Sequence, residues 1–278
     1  MRFLRHPGPP APERERVAPC RAERLSLRLC AGRSVNAAVT GALAEAGFSS
    51  GYAHLEDVAV SPMRYVIPAA APDASHVAWY SDTRAPEGVV TIERAGVIAG
   101  IRDGAPFIHC HGVWHEPDGT RRAGHLLPHE AVVAADTTVR AWGIEGACFV
   151  ARDDAETNFK LFSAEAAWAD VAAPTALVCT IRPNGDISHA IEGICRGHGM
   201  DAAAIFGVGS LAGVDFADGR HVPSCATEVF VTAGGVSPAG CTLDVALVDM
   251  DGAVHEGRLL RGRNPVCVTF ELLVIAAG

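Results

Sequence analysis

The sequence predicts an α+β protein made of two similar units, each a mostly antiparallel sheet with one main packed helix. Three observations predict this class. A twenty-residue stretch starting at His109 (HCHGVWHEPDGTRRAGHLLP) aligns without a gap on the stretch starting at Thr242 (TLDVALVDMDGAVHEGRLLR), 133 positions on. A segment with helix start and stop signals precedes each copy. Runs with strand composition fill most of the remainder. One helix per unit can bury its apolar stripe only against a sheet, which gives the layered arrangement.

In chain order, MRFLRHPGPPAPERER at the start is rich in Pro and Arg and lacks an apolar segment. It reads as a flexible tail over residues 1–19, not a secretory signal. The first unit spans 20–150. Within it, Gly32 to Phe48 is a loop and then a helix that stops at Gly47, and GVVTIERAGVI from Gly88 is strand-like. Residues 151–174 (ARDDAETNFKLFSAEAAWADVAAP) change from charged to alanine-rich and read as a linker with a short docking helix. The second unit spans 175–278, with Asp186 as N-cap of a helix that Gly199 ends, followed by the strand-like EVFVTAGGV from Glu228.

The chain has 278 residues, is 49% hydrophobic and carries a formal charge of -9. Wholesale disorder is excluded by that apolar content, and no global positive field exists to hold DNA or an anionic membrane. No apolar run approaches the ~18 residues that a membrane-spanning helix needs. Nine cysteines occur without a CxxC pair, which points to mostly buried thiols in a reducing cytoplasm.

The chemistry concentrates in the first copy of the repeat. His109 and His111 are two apart in PFIHCHGVW, so a strand presents both imidazoles on one face and Cys110 on the other. Pro117-Asp118-Gly119 is a turn signal, and His125 follows on the return strand. With an odd number of loop residues, His111 and His125 face each other across the hairpin and three imidazoles converge. Such a set suits a divalent ion, zinc first, with an open position for water or substrate. The alternative is three unrelated surface histidines among twelve. The second copy bears on this choice. It keeps the Asp251-Gly252 turn and the Gly257-x-Leu259-Leu260 return but carries Thr242, Asp244 and Arg258 where the histidines stood. A residue set kept for the fold alone would persist in both copies, so the histidines read as functional.

These residues resemble the plants-and-prokaryotes conserved (PPC) domain. The strand ending His109-Cys110-His111, the Asp118-Gly119 turn and Ala123-Gly124-His125-Leu126 match its H-x-H, D-G and G-G-H-L signature, with Ala123 for the first glycine. Gly207-x-Gly209-Ser210-Leu211 resembles the family's strand after the helix. The resemblance covers both units. It implies a compact α+β domain that forms trimers, hence a homo-oligomer, and a metal ion on His109, His111 and His125 in some members. Plant members bind DNA through a separate R-G-R-P arm. Here Arg261-Gly262-Arg263-Asn264-Pro265 only approaches that core and runs straight into a strand-like segment, in a unit with a net charge of -5. DNA is therefore not expected as a partner.

The expected function is a zinc-dependent enzyme, hydrolase or lyase, acting on a small anionic carbonyl or carboxylate compound. His115, Glu116 and His129 are candidates to move protons, being next to the turn or in phase with the ligands. Arg258 and Arg261 are candidates to grip a substrate carboxylate in bidentate fashion. For each of these five the plain alternative is a solvated side chain near a turn. No nucleophile elbow, P-loop or H-E-x-x-H motif occurs. The competing expectations are a DNA-binding or regulatory PPC-family protein whose metal is structural or absent, and a non-catalytic ligand-binding module.

Overall fold

The computed structural model describes residues 3–167 and 171–277. The first half contains β1 (Glu15–Leu29), α1 (Val35–Glu45), β2 (Gly51–Val60), β3 (Tyr65–Val66), β4 (Pro68–Ala69), β5 (Trp79–Tyr80), β6 (Val90–Arg102), β7 (Ala105–His115), β8 (Arg121–Leu126) and β9 (Thr137–Glu145). A hairpin follows, β10 (Ala147–Asp153) and β11 (Lys160–Ala166). The second half contains β12 (Ala176–Ile181), α2 (Ile187–Gly197), β13 (Ala203–Leu211), β14 (Val214–Asp215), β15 (His221–Val222), β16 (Thr227–Ser237), β17 (Gly240–Val248), β18 (Val254–Arg258) and β19 (Val266–Ala276).

The α+β class expected from the sequence is corrected by this inventory. Strand accounts for 54% of the chain and helix for only 8%, and the main strands join in one large, mostly antiparallel sheet. Two physical causes explain the difference. Each helix is only eleven residues long, enough to cover a small part of a face. In addition, segments read as tail and linker pair as strands. The region expected as a linker forms the β10–β11 hairpin, in register from Ala147↔Ala166 to Asp153↔Lys160. The alanine-rich part in which a docking helix was expected includes residues 168–170, which lie outside the described residues. The expected tail is also tied down. β1 begins at Glu15, and ahead of it Leu4 N–H donates to Asn184 Oδ1 (2.7 Å) and Ala11 N–H to Glu156 Oε2 (3.0 Å). Proline does not prevent such anchoring, because the contacts use N–H groups of neighbouring residues.

The helices start where side chains satisfy their free N–H groups. Ser34 accepts from Ala37 N–H at the head of α1, and Asp186 accepts from His189 N–H at the head of α2. In sheet order the strands run β18-β17-β16-β13-β19-β12-β1-β9-β2-β6-β7-β8-β3. From the central β12–β1 pair outward, each side repeats the same sequence of roles. β19 and β9 come first, then β13 and β2, β16 and β6, β17 and β7, and β18 and β8.

β1 is the seam. Its residues 15–20 pair with β12 and its residues 21–29 with β9. The sheet curls so that its two arms face each other, with β16 against β7, β13 against β6 and β17 against β8. Val208, Phe230, Ala246 and Leu273 of the second arm share one apolar cluster with Tyr52, Val97 and Ile98 of the first. Fully burying a side chain such as Phe230 stabilises by about 1.5–3 kcal/mol relative to exposure, so this shared core holds the arms together. Among the described residues no helix is long and apolar enough to cross a membrane.

Candidate metal centre

β7 alternates faces, which places Phe107, His109 and His111 on the side turned toward the second arm. The β7–β8 hairpin pairs His111 with His125 and closes at His115↔Arg121. His109 Nε2 lies 2.8 Å from His111 Nε2, and His111 Nε2 lies 3.1 Å from His125 Nδ1. All three nitrogens fall within 4.8 Å of one another. Imidazole nitrogens around a tetrahedral zinc stand about 3.3 Å apart, so the cluster is already near that spacing.

The second arm orients two of these rings. His109 Nδ1–H donates to Glu271 Oε2 on β19 at 2.8 Å, and His111 Nδ1–H donates to the Val229 carbonyl on β16 at 3.0 Å. Each bond fixes the proton on Nδ1 and leaves the Nε2 lone pair aimed at the cluster. Glu228 Oε2, also on β16, lies 2.9 Å from His111 Nε2. Acceptor atoms therefore converge with few donors among them: a proton on His125 Nδ1, or one on His111 Nε2 shared with Glu228. A divalent cation satisfies all of them at once, and in that sense the donor set fits a metal ion.

Burial, and then the neighbouring His109 and His111, hold the His125 pKa well below its usual value, so its ring stays neutral. Burial also presses the His111 pKa down, but the Glu228 carboxylate outweighs it and the net shift is upward. A close approach of backbones makes these contacts possible. A Cβ on Gly209 of β13 would stand 2.5 Å from the Phe270 ring on β19. Glycine there lets β19 lie close enough for Glu271, 1% exposed, to reach His109.

The cluster sits in a cavity of about 360 Å³ between the two arms. Tyr80 packs on His125 with ring centroids 5.3 Å apart, and Trp79 stacks on Phe159 at 5.4 Å near the mouth. Of the other residues singled out in the sequence, His129 also lines this cavity, its ring 5.6 Å from Phe107. His115 is outside it, 3.2 Å from Glu93 Oε2. Glu116 accepts from Tyr65 Oη at 2.8 Å, and it too lies outside. Arg258 forms a two-bond pair with Asp244 on the outer hairpin of the second arm. Arg261 grips Glu192 on α2 and lines a separate depression. Cys110 is fully buried on the opposite face of β7, where burial pushes its thiol up to about 12.

Glu228, Glu271, Tyr80 and the Val229 carbonyl were not anticipated from the sequence. Glu271 lies 162 positions from the histidine it orients, and no local spacing signals such a partner.

No family model matches the sequence, and no curated protein does. Several solved structures are similar in fold. A metal-containing protein of Archaeoglobus fulgidus is 20% identical, covering 50% of this chain and 92% of its own, with a TM-score of 0.40. A PPC protein of Pyrococcus horikoshii is 11% identical over 54% of this chain and 93% of its own, with a TM-score of 0.39. A candidate DNA-binding protein of Bacteroides thetaiotaomicron is 11% identical over 52% of this chain and 97% of its own, with a TM-score of 0.38. At these values no residue role passes from them to this chain. Against the expectation that DNA is not a partner stand two neighbours whose own names describe them as candidate DNA-binding proteins.

Proposed function

We propose that the protein is a metal-dependent enzyme whose zinc or other divalent ion is held by His109, His111 and His125. The observation that carries this reading is the convergence of three imidazole nitrogens, two of them with their outer nitrogens tied to Glu271 and the Val229 carbonyl. A bound ion would supply Lewis acidity toward a carbonyl group or water, as hydrolase and lyase chemistry both require. The remaining work falls to the chain. Glu228 Oε2 is placed to accept a hydrogen bond from whatever occupies the open position. Tyr80 shields His125 from the cavity mouth. The aromatic walls exclude water from the bound compound, which strengthens polar interactions within.

The strand order, mirrored about the β12–β1 pair, supports reading 20–150 and 175–278 as two copies of one PPC-like unit, the second without ligands. Seven of nine thiols are buried, which supports a cytoplasmic setting.

The test is metal analysis of the purified protein. The wild type is expected to carry about one ion per chain, and His111→Ala to retain less than a tenth of that while remaining folded by circular dichroism. Full metal content in the folded variant sinks the assignment.

A second reading, favoured by the names of the structural neighbours rather than by the site, is a DNA-binding or regulatory protein of PPC type. In it the ion is structural or absent. Arg261 is held by Glu192, and Asn264 is fully buried with its amide bonded to the Asp215 and Leu260 carbonyls. The Arg261–Pro265 segment is thus a folded turn, and a DNA surface would lie elsewhere. A salt-sensitive mobility shift of duplex DNA that persists in His111→Ala would support this reading over the first.

A further inference from the structure

The cavity beside the histidines contains a cation that the fold leaves unspent. Arg102, at the end of β6, holds its guanidinium 5.0 Å from the centroid of Phe107. Its one ion pair among the described residues is a loose contact with Asp103 at 3.8 Å, and the guanidinium donates no hydrogen bond to any of them. The neighbouring cation differs, since Lys160 is engaged by the same Asp103 at 2.6 Å. Arg102 and Phe107 line the same cavity as the three histidines. An arginine stacked on an aromatic face with its fork open is a preformed carboxylate receptor.

From these placements, and resting on the metal reading above, we infer that the pocket takes small carboxylic acids with an apolar, preferably aromatic, side chain, the carboxylate lying on Arg102. Phe107 is two residues from His109 on β7, so Arg102 and the imidazole cluster face the same cavity. Tyr80, Trp79, Phe159 and Phe162 form an aromatic part of the cavity wall, where such a side chain would lie. A cavity of about 360 Å³ accommodates a compound of roughly a dozen heavy atoms.

The experiment is calorimetric titration of the zinc-loaded protein with phenylpyruvate and with its methyl ester, which keeps the ring and the ketone but not the charge. The acid is expected to bind at least tenfold more tightly than the ester. Arg102→Met is expected to lose at least tenfold in affinity for the acid and none for the ester, with bound zinc and melting temperature unchanged. The inference is overturned by a zinc-loaded wild type that ignores phenylpyruvate or treats acid and ester alike. An Arg102→Met protein that binds the acid as the wild type does also overturns it. A wild type that holds no zinc removes the metal reading itself, and the zinc assay alone reveals that separate failure.

Discussion

The hairpins β7–β8 and β17–β18 occupy equivalent places in the two arms, yet at one matching cross-strand position the pair is buried under the other arm and at its counterpart the pair faces water. In the first, His111 pairs across the strands with His125; in the second, Asp244 pairs at the same register position with Arg258. His111 is 2% exposed and lies under β16, whereas the Asp244 and Arg258 side chains are 34% and 57% exposed. An imidazole cluster whose outer nitrogens are hydrogen-bonded tolerates a dry cavity, while an ion pair is least costly in contact with solvent. The difference shows that the backbone supplies the geometry of a site and its cover decides which chemistry that geometry can support.

The largest test of this comparison is to exchange a residue between the hairpins. Gly112 of β7 lies where β17 has Val245, and a Cβ on Gly112 would stand 2.3 Å from Ala95 Cβ and 2.6 Å from the Arg94 carbonyl. Gly112→Val is expected to destabilise the protein by about 3 kcal/mol, the upper part of the overpacking range. Chemical denaturation checks it, and an unchanged midpoint would show that the two hairpins are interchangeable after all.

A smaller effect is expected from the cover itself. Glu271→Gln keeps the shape but weakens the hold on His109 Nδ1–H, and metal affinity should fall about tenfold. Competition with a chromophoric chelator measures it. An unaltered affinity would mean that β7 and β8 suffice without the second arm.

The smallest effect concerns the second arm alone. The Arg261 guanidinium beside Glu192, acting against the opposing effect of burial, holds that carboxyl down at about 2. A carboxyl with a depressed pKa stabilises the fold above its ordinary titration range near 4.5, and the contribution is lost as pH falls toward 2. Glu192→Gln should therefore melt a few degrees below the wild type at pH 6, and the gap should close as pH drops from about 5 to 2. Melting curves across that range check the sign. A constant gap would assign the loss to packing rather than charge.

The sequence made the local part of this comparison legible. Alternation put His109 and His111 on one face, and five residues between His115 and Arg121 set the His111–His125 pairing. The second helix start was readable from its Asp186 cap and the first helix end from Gly47. The long-range part was not legible. Nothing near Glu228 or Glu271 in the chain marks them as facing β7, because strand pairing across more than a hundred residues leaves no local period. The hairpin of 147–166 was hidden for a different reason. Charged and small residues fit an outer strand as well as a linker, and its cross-strand partners decide between them.

The seam strand has a consequence for the order in which the molecule is assembled. Residues 21–29 find their partner within the first arm, but residues 15–20 wait for Ala176–Ile181. During synthesis residues 15–20 therefore remain an open template until residues 176–181 have emerged, a state prone to pairing with another nascent copy. Such distant closures are intrinsically slow, so the β1–β12 pairing is the step at which the two arms wait for each other.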